Sequence, residues 1–116
     1  MNTAQIDLQQ LRIKHILYKS KVRSALYGGA FDPDFFSPAG PVNNWLNTIG
    51  TERYGAEPEL REMISIQTEM NAKVKYLTEL YKSGKIDQAY EGLPVIETQS
   101  DRFLQLLDKL EKRLGV

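Results

Sequence analysis

Apolar residues recur along this chain at steps of three and four, the interval that places side chains on one face of a helix. The first run is Leu8, Leu11, His15, Tyr18, Val22 and Leu26, which predicts one long helix. It can start at Asn2 or Thr3, and an Asn2 cap sets Gln5 three residues on, as in a capping box. Gly28-Gly29 ends it, glycine being suited to a helix C-terminus. From Phe31 to Gly40 the pattern lapses into a loop, because Asp32-Pro33-Asp34 and Ser37-Pro38 disfavour helix before each proline. Ser37 with Pro38 can equally cap a short helix carrying Val42, Trp45, Leu46 and Ile49 before Gly50.

Glu57-Pro58-Glu59 then opens a long helix, with acidic residues where the helix dipole favours them. Its pattern runs from Leu60 to Tyr81 and stops at Ser83-Gly84. A short helical turn over residues 86–91 is closed by Gly92 and Pro94. A last helix from about Val95 to Leu114 carries Ile96, Phe103, Leu106, Leu107, Leu110 and Leu114 on its stripe, and Gly115 stops it. No alternating strand pattern, repeat or low-complexity tract interrupts this order. Three long amphipathic helices must bury their stripes against one another. With the short helix around Trp45 they predict an all-α fold, an antiparallel four-helix bundle with one long loop and a short extra helical turn. The short connections at Gly84 and Gly92 favour antiparallel neighbours, and the Gly28–Gly40 loop is of a length that often carries function.

Composition narrows the classes. The 116 residues suffice for one domain, 1–116, with a single core. Fifteen basic residues balance fifteen acidic ones, which argues against a nucleic-acid or anionic-membrane binder. The run Lys19-Ser20-Lys21-Val22-Arg23 reads as a solvated helix face. No stretch approaches the roughly 20 apolar residues that cross a bilayer, so no membrane insertion is expected. The first residues lack the pattern of a signal peptide, and a cytoplasmic location is the default. With no cysteine there is neither a disulfide framework nor a thiolate nucleophile.

The candidate chemistry lies in polar residues on apolar stripes. His15 is the one histidine of the chain. The stripe Leu60, Ile64, Gln67, Asn71, Val74, Leu77 and Tyr81 stacks two amides four residues apart. Left without partners, such groups cost about 1–3 kcal/mol each. His15, Gln67 and Asn71 are therefore expected to meet one another, a backbone group or a buried water. They would form either a network that fixes helix register or a seat for a metal or small ligand. Tyr18, Phe36 and Trp45 could line an aromatic pocket beside the loop, or anchor core and loop. Asp32, Asp34, Glu57 and Glu59 read as turn formers and helix-start acids. No nucleophile motif or phosphate loop is present, and nothing supports catalysis.

The segment His15-Ile16-Leu17-Tyr18-Lys19 resembles the His-x-x-Trp-Lys motif of the chemoreceptor zinc-binding domain family, with Tyr18 for tryptophan. Gly40-Pro41-Val42-Asn43-Asn44-Trp45 falls where that family has Cys-x-Leu-Gly-x-Trp. Tyr54-Gly55, Pro58 and Leu60 follow in the same order, and Gln67-Thr68-Glu69-Met70-Asn71 takes the place of His-x-x-x-His. Ala89, Ser100, Leu107 and Leu110 resemble the closing helix. The resemblance implies a four-helix bundle attached to bacterial chemotaxis receptors or diguanylate cyclases, and a homodimer. It also carries the four zinc ligands onto His15, Gly40, Gln67 and Asn71. Of these only imidazole binds zinc well, since glycine has no side chain and amide oxygens are poor partners. No metal site and no cofactor is expected.

The implied function is a non-catalytic sensory or regulatory domain of a bacterial signalling system, with its zinc site lost and a signalling output module as possible partner. His15 protonation near neutral pH is a candidate input. The alternative is a stand-alone small-ligand-binding helical protein that uses the aromatic loop and the bundle centre.

Overall fold

Asn2 caps the first helix: its side chain accepts a hydrogen bond from the Gln5 amide at 2.8 Å, satisfying one of the orphan donors of the first turn. In the computed structural model, which describes residues 2–115, that helix, α1, spans Thr3–Leu26. Gly28 then takes φ +92°, left-handed backbone that a side chain resists, and the chain turns out of the helix there. Residues 28–40 form turns without regular structure. Next come α2 (Pro41–Trp45), a π-helical segment (Leu46–Gly50), α3 (Thr51–Tyr54), α4 (Pro58–Lys82), α5 (Ile86–Glu91) and α6 (Leu93–Arg113). Among the described residues every element is helical and no strand occurs.

Three boundaries differ from the sequence pattern. The short helix starts at Pro41, with Gly40 as its cap, and it does not stop at Gly50. Gly50 keeps helical backbone (φ −59°, ψ −53°), and the chain continues through the π turn to Tyr54. The glycine is there for close approach: a Cβ on it would lie 2.9 Å from the Trp45 ring and 3.3 Å from Leu60. The Thr51 hydroxyl donates to the Leu46 carbonyl five residues back, at 2.8 Å, and so completes the wide turn. The last helix begins at Leu93, two residues earlier than its stripe suggested. Pro94 sits in its first turn, where the missing amide hydrogen costs nothing.

The three long helices share one core. Leu8, Leu11, Tyr18, Val22 and Leu26 of α1 are buried with Leu60, Met63, Met70, Val74 and Leu77 of α4 and with Phe103, Leu106, Leu107 and Leu110 of α6. Each such side chain contributes about 1.5–3 kcal/mol on burial. Trp45 and Leu46 close the core from the short segment. Ion pairs tie the rims: Arg12 reaches Asp108 at 2.7 Å and also Glu111, Lys19 reaches Glu97 at 3.2 Å, and Arg102 reaches Glu62 at 2.9 Å. None of the helices is long and apolar enough to cross a membrane, counted over the described residues.

Candidate functional site

His15 and Tyr18 lie three residues apart on the buried stripe of α1, and α4 presents Gln67 and Asn71 one turn apart. The structure divides these four into two clusters. In the first, Asn71 is the hub. Its Oδ1 accepts from the Tyr18 hydroxyl at 2.7 Å and from Gln67 Nε2 at 3.1 Å, and its Nδ2 donates to Asn43 Oδ1 at 2.6 Å. One half-buried amide thus joins α1, α2 and α4. Burial pushes the Tyr18 hydroxyl well above its ordinary pKa, so it remains a donor.

His15 belongs to the other cluster, which corrects the expectation that it meets the two amides. Its Nε2 lies 2.7 Å from Ser100 Oγ of α6, and its ring stacks on Phe103 with centroids 4.5 Å apart and planes 8° apart. The side chain is fully buried. Burial, then the charges of Lys19 and Arg12, lower its pKa from 6.5 to about 4. The folded chain therefore holds the ring mostly neutral between pH 5 and 8. This removes His15 protonation as a near-neutral input: the energy of burying the charge outweighs the intrinsic basicity.

The residues at the four positions do not fit zinc. His15 Nε2 is engaged by Ser100. Gln67 and Asn71 are hydrogen-bonded to each other, with the single Asn71 oxygen already shared by two donors. At Gly40 an added Cβ would collide with the Phe35 carbonyl oxygen, so this backbone has no room for a thiolate-bearing side chain. Among the described residues no three His, Cys, Asp or Glu side chains are grouped to hold a metal ion.

Phe36 and Trp45 are core residues in this structure, 6% and 1% exposed. Phe36 meets Tyr18 edge-on at 5.3 Å and stacks on Phe31, also at 5.3 Å. Trp45 stacks on Tyr54 at 6.2 Å. The aromatic residues of the loop thus pack the loop down onto α1. Four buried polar side-chain atoms, His15 Nδ1, Trp45 Nε1, Gln67 Oε1 and Gln99 Oε1, have no hydrogen-bond partner among the described residues.

Sequence reasoning missed two features. Ser100 and Asn43 complete the clusters, and Ser100 was legible, falling four residues after Ile96 and three before Phe103 on the α6 stripe. The second is a buried carboxylate. Asp7, 4% exposed, accepts from Arg53 Nη1 on both carboxylate oxygens, at 2.9 and 2.8 Å, and from the Tyr54 hydroxyl on Oδ2 at 2.6 Å. Burial and that bond push Tyr54 up to about 12. These partners are more than forty residues from Asp7, and no local spacing announces them. Comparison of the chain with protein-family models, curated proteins and solved structures finds no match in any of the three.

Proposed function

We propose that this chain is a non-catalytic sensory or regulatory domain of a bacterial signalling system, of the chemotaxis or cyclic-dinucleotide type. In this reading it is an antiparallel four-helix bundle, acts as a cytoplasmic homodimer and passes its state to an output module. The observation that carries the reading is the polar centre itself. Positions 15, 67 and 71, which the family resemblance aligns with metal ligands, face inward from α1 and α4 in two neighbouring clusters, and protein groups engage His15 Nε2, Gln67 Nε2 and both ends of the Asn71 amide. In this reading the inward polar positions remain and the metal chemistry does not.

Two further observations support the assembly. Arg12 pairs with Asp108 and Lys19 with Glu97, so numbers fall along α6 as they rise along α1, as antiparallel neighbours require. On the face of α1 opposite the core, Ile6, Ile13, Ile16 and Leu17 are 43, 68, 59 and 45% exposed. A helix apolar on both faces has a second surface to cover, and an isologous pair of copies covers it with the same residues. Regulation then follows from geometry. Asn71 bonds to three elements at once, so a shift of α1 against α4 must break or remake its bonds. An effector acts only by preferring one of those packings.

Sedimentation of the purified chain together with metal analysis tests this. A dimer holding no stoichiometric zinc is the expected result. A monomer at all concentrations, or one tightly held zinc per chain, would overturn it.

A further inference from the structure

Towards the C-terminal end of α1, this helix and the start of α6 part to leave a half-open cavity of about 330 Å³. That volume is at the lower end of the range of small-molecule sites. Its floor is apolar: Val22 and Ile96 are 3 and 4% exposed, and Leu93 adjoins them. One wall is Tyr27. This ring is 61% exposed yet held in place, stacked on Tyr90 with centroids 4.8 Å apart and planes 19° apart. Tyr90 in turn backs onto Tyr81 at 6.3 Å. One face of Tyr27 is thus covered by protein.

The rim carries charge out of balance. Lys19 and Arg23 stand one turn apart on α1, and both turn to a single carboxylate, Glu97 of α6. Lys19 reaches it at 3.2 Å. Arg23 comes no closer than 3.7 Å, beyond hydrogen-bond distance. Two cations share one anion, and the planar donor fork of Arg23 makes no hydrogen bond among the described residues. Such a fork matches a carboxylate or phosphate with two parallel bonds.

We propose that this cavity binds a small molecule joining a flat aromatic body to a single anionic group, the body on Tyr27 and the anion on Arg23 and Lys19. A cation would meet two like charges, and a neutral ring would leave the fork unused. Because the floor comes from both α1 and α6, the bound molecule bridges the two helices and favours the packing that holds the cavity open. The proposal does not rest on the regulatory reading, which would stand if this site failed.

The test is a titration of the ¹⁵N-labelled protein with indole-3-acetate, followed by amide shifts, with indole-3-acetamide as the uncharged counterpart. Saturable shifts are expected at Val22, Arg23, Tyr27, Leu93 and Glu97, with the acid binding about fivefold tighter than the amide. Arg23→Gln should cut that preference at least in half, Lys19 remaining, and leave amide binding unchanged. Glu97→Gln, by removing the competing carboxylate, should tighten acid binding a few-fold. Equal binding of acid and amide, shifts centred elsewhere, no saturable shift, or a Glu97→Gln variant that binds the acid no better would each overturn the proposal. Arg23 and Glu97 are both on the rim, so the two variants keep the core intact.

Discussion

An unfolded chain protonates His15 near pH 6.5, whereas the folded one does so only near 4, where it lies against Ser100 and Phe103. Between those values the unfolded state binds more protons, so stability rises with pH across the window. Stability from this residue is complete above about pH 6.5 and is lost as pH falls through 4. The full shift corresponds to roughly 3 kcal/mol. As the chain has one histidine, its ring-proton NMR signal reports the site without assignment, and its midpoint should fall near 4. A midpoint near 6.5 would place the ring in solvent. Asn71 offers a second test at this scale. Asn71→Ala strands the Tyr18, Gln67 and Asn43 groups together, whereas Tyr18→Phe removes one donor and leaves Asn71 its other partners. Urea denaturation should show about 1 kcal/mol lost for Tyr18→Phe and two to three times that for Asn71→Ala.

Elements are placed as much by contact as by propensity, and Gly50 separates the two. Helix propensity alone predicts that Gly50→Ala stabilises by about 1 kcal/mol, since the backbone there is helical. Packing predicts the opposite, because the new methyl meets the Trp45 ring at 2.9 Å and Leu60 at 3.3 Å, both fully or nearly buried. Overpacking costs about 1–3 kcal/mol, so the substitution should lower the melting temperature in a circular dichroism scan. A rise would mean that the π turn relaxes to accept the methyl. At the other end of the same segment, Tyr54 and Arg53 hold the buried Asp7 and pin the start of α1. Tyr54→Phe removes one of those bonds and should cost about 1 kcal/mol, measurable by the same denaturation series.

For the whole molecule, balanced net charge conceals a division between helices. Residues 12–23 of α1 carry Arg12, Lys14, Lys19, Lys21 and Arg23 and no acid, while α6 answers with Glu97, Asp108 and Glu111. These exposed pairs add little stability each, but they select which helix lies beside which. The outer face of α1 carries four of the eight exposed large apolar side chains among the described residues. In the homodimer reading, Ile13→Asp with Leu17→Asp should convert the dimer to a monomer in sedimentation. Helical circular dichroism should be unchanged, since both side chains lie outside the core. An unchanged dimer would move the interface elsewhere.

How much of this was legible in the sequence depends on whether a feature is local. The three long helices, the Asn2 cap, the irregular 28–40 loop, the short turn at residues 86–91 and the inward stripes all follow from spacing and capping along one stretch of chain. So does the placing of His15 and Gln67 inside. What those buried groups touch was beyond the reach of spacing. The stripe of α1 says that His15 faces inward, but only the packing of α6 decides that it meets Ser100 rather than Gln67. Only the burial that results lowers its pKa. The same holds for Asp7 with Arg53, and for Gly50, which looked like a stop and is a contact. The sequence by itself determined which faces are buried, because periodicity is a property of one segment. Tertiary structure decided the partners, because a hydrogen bond between distant residues depends on where two helices come to rest.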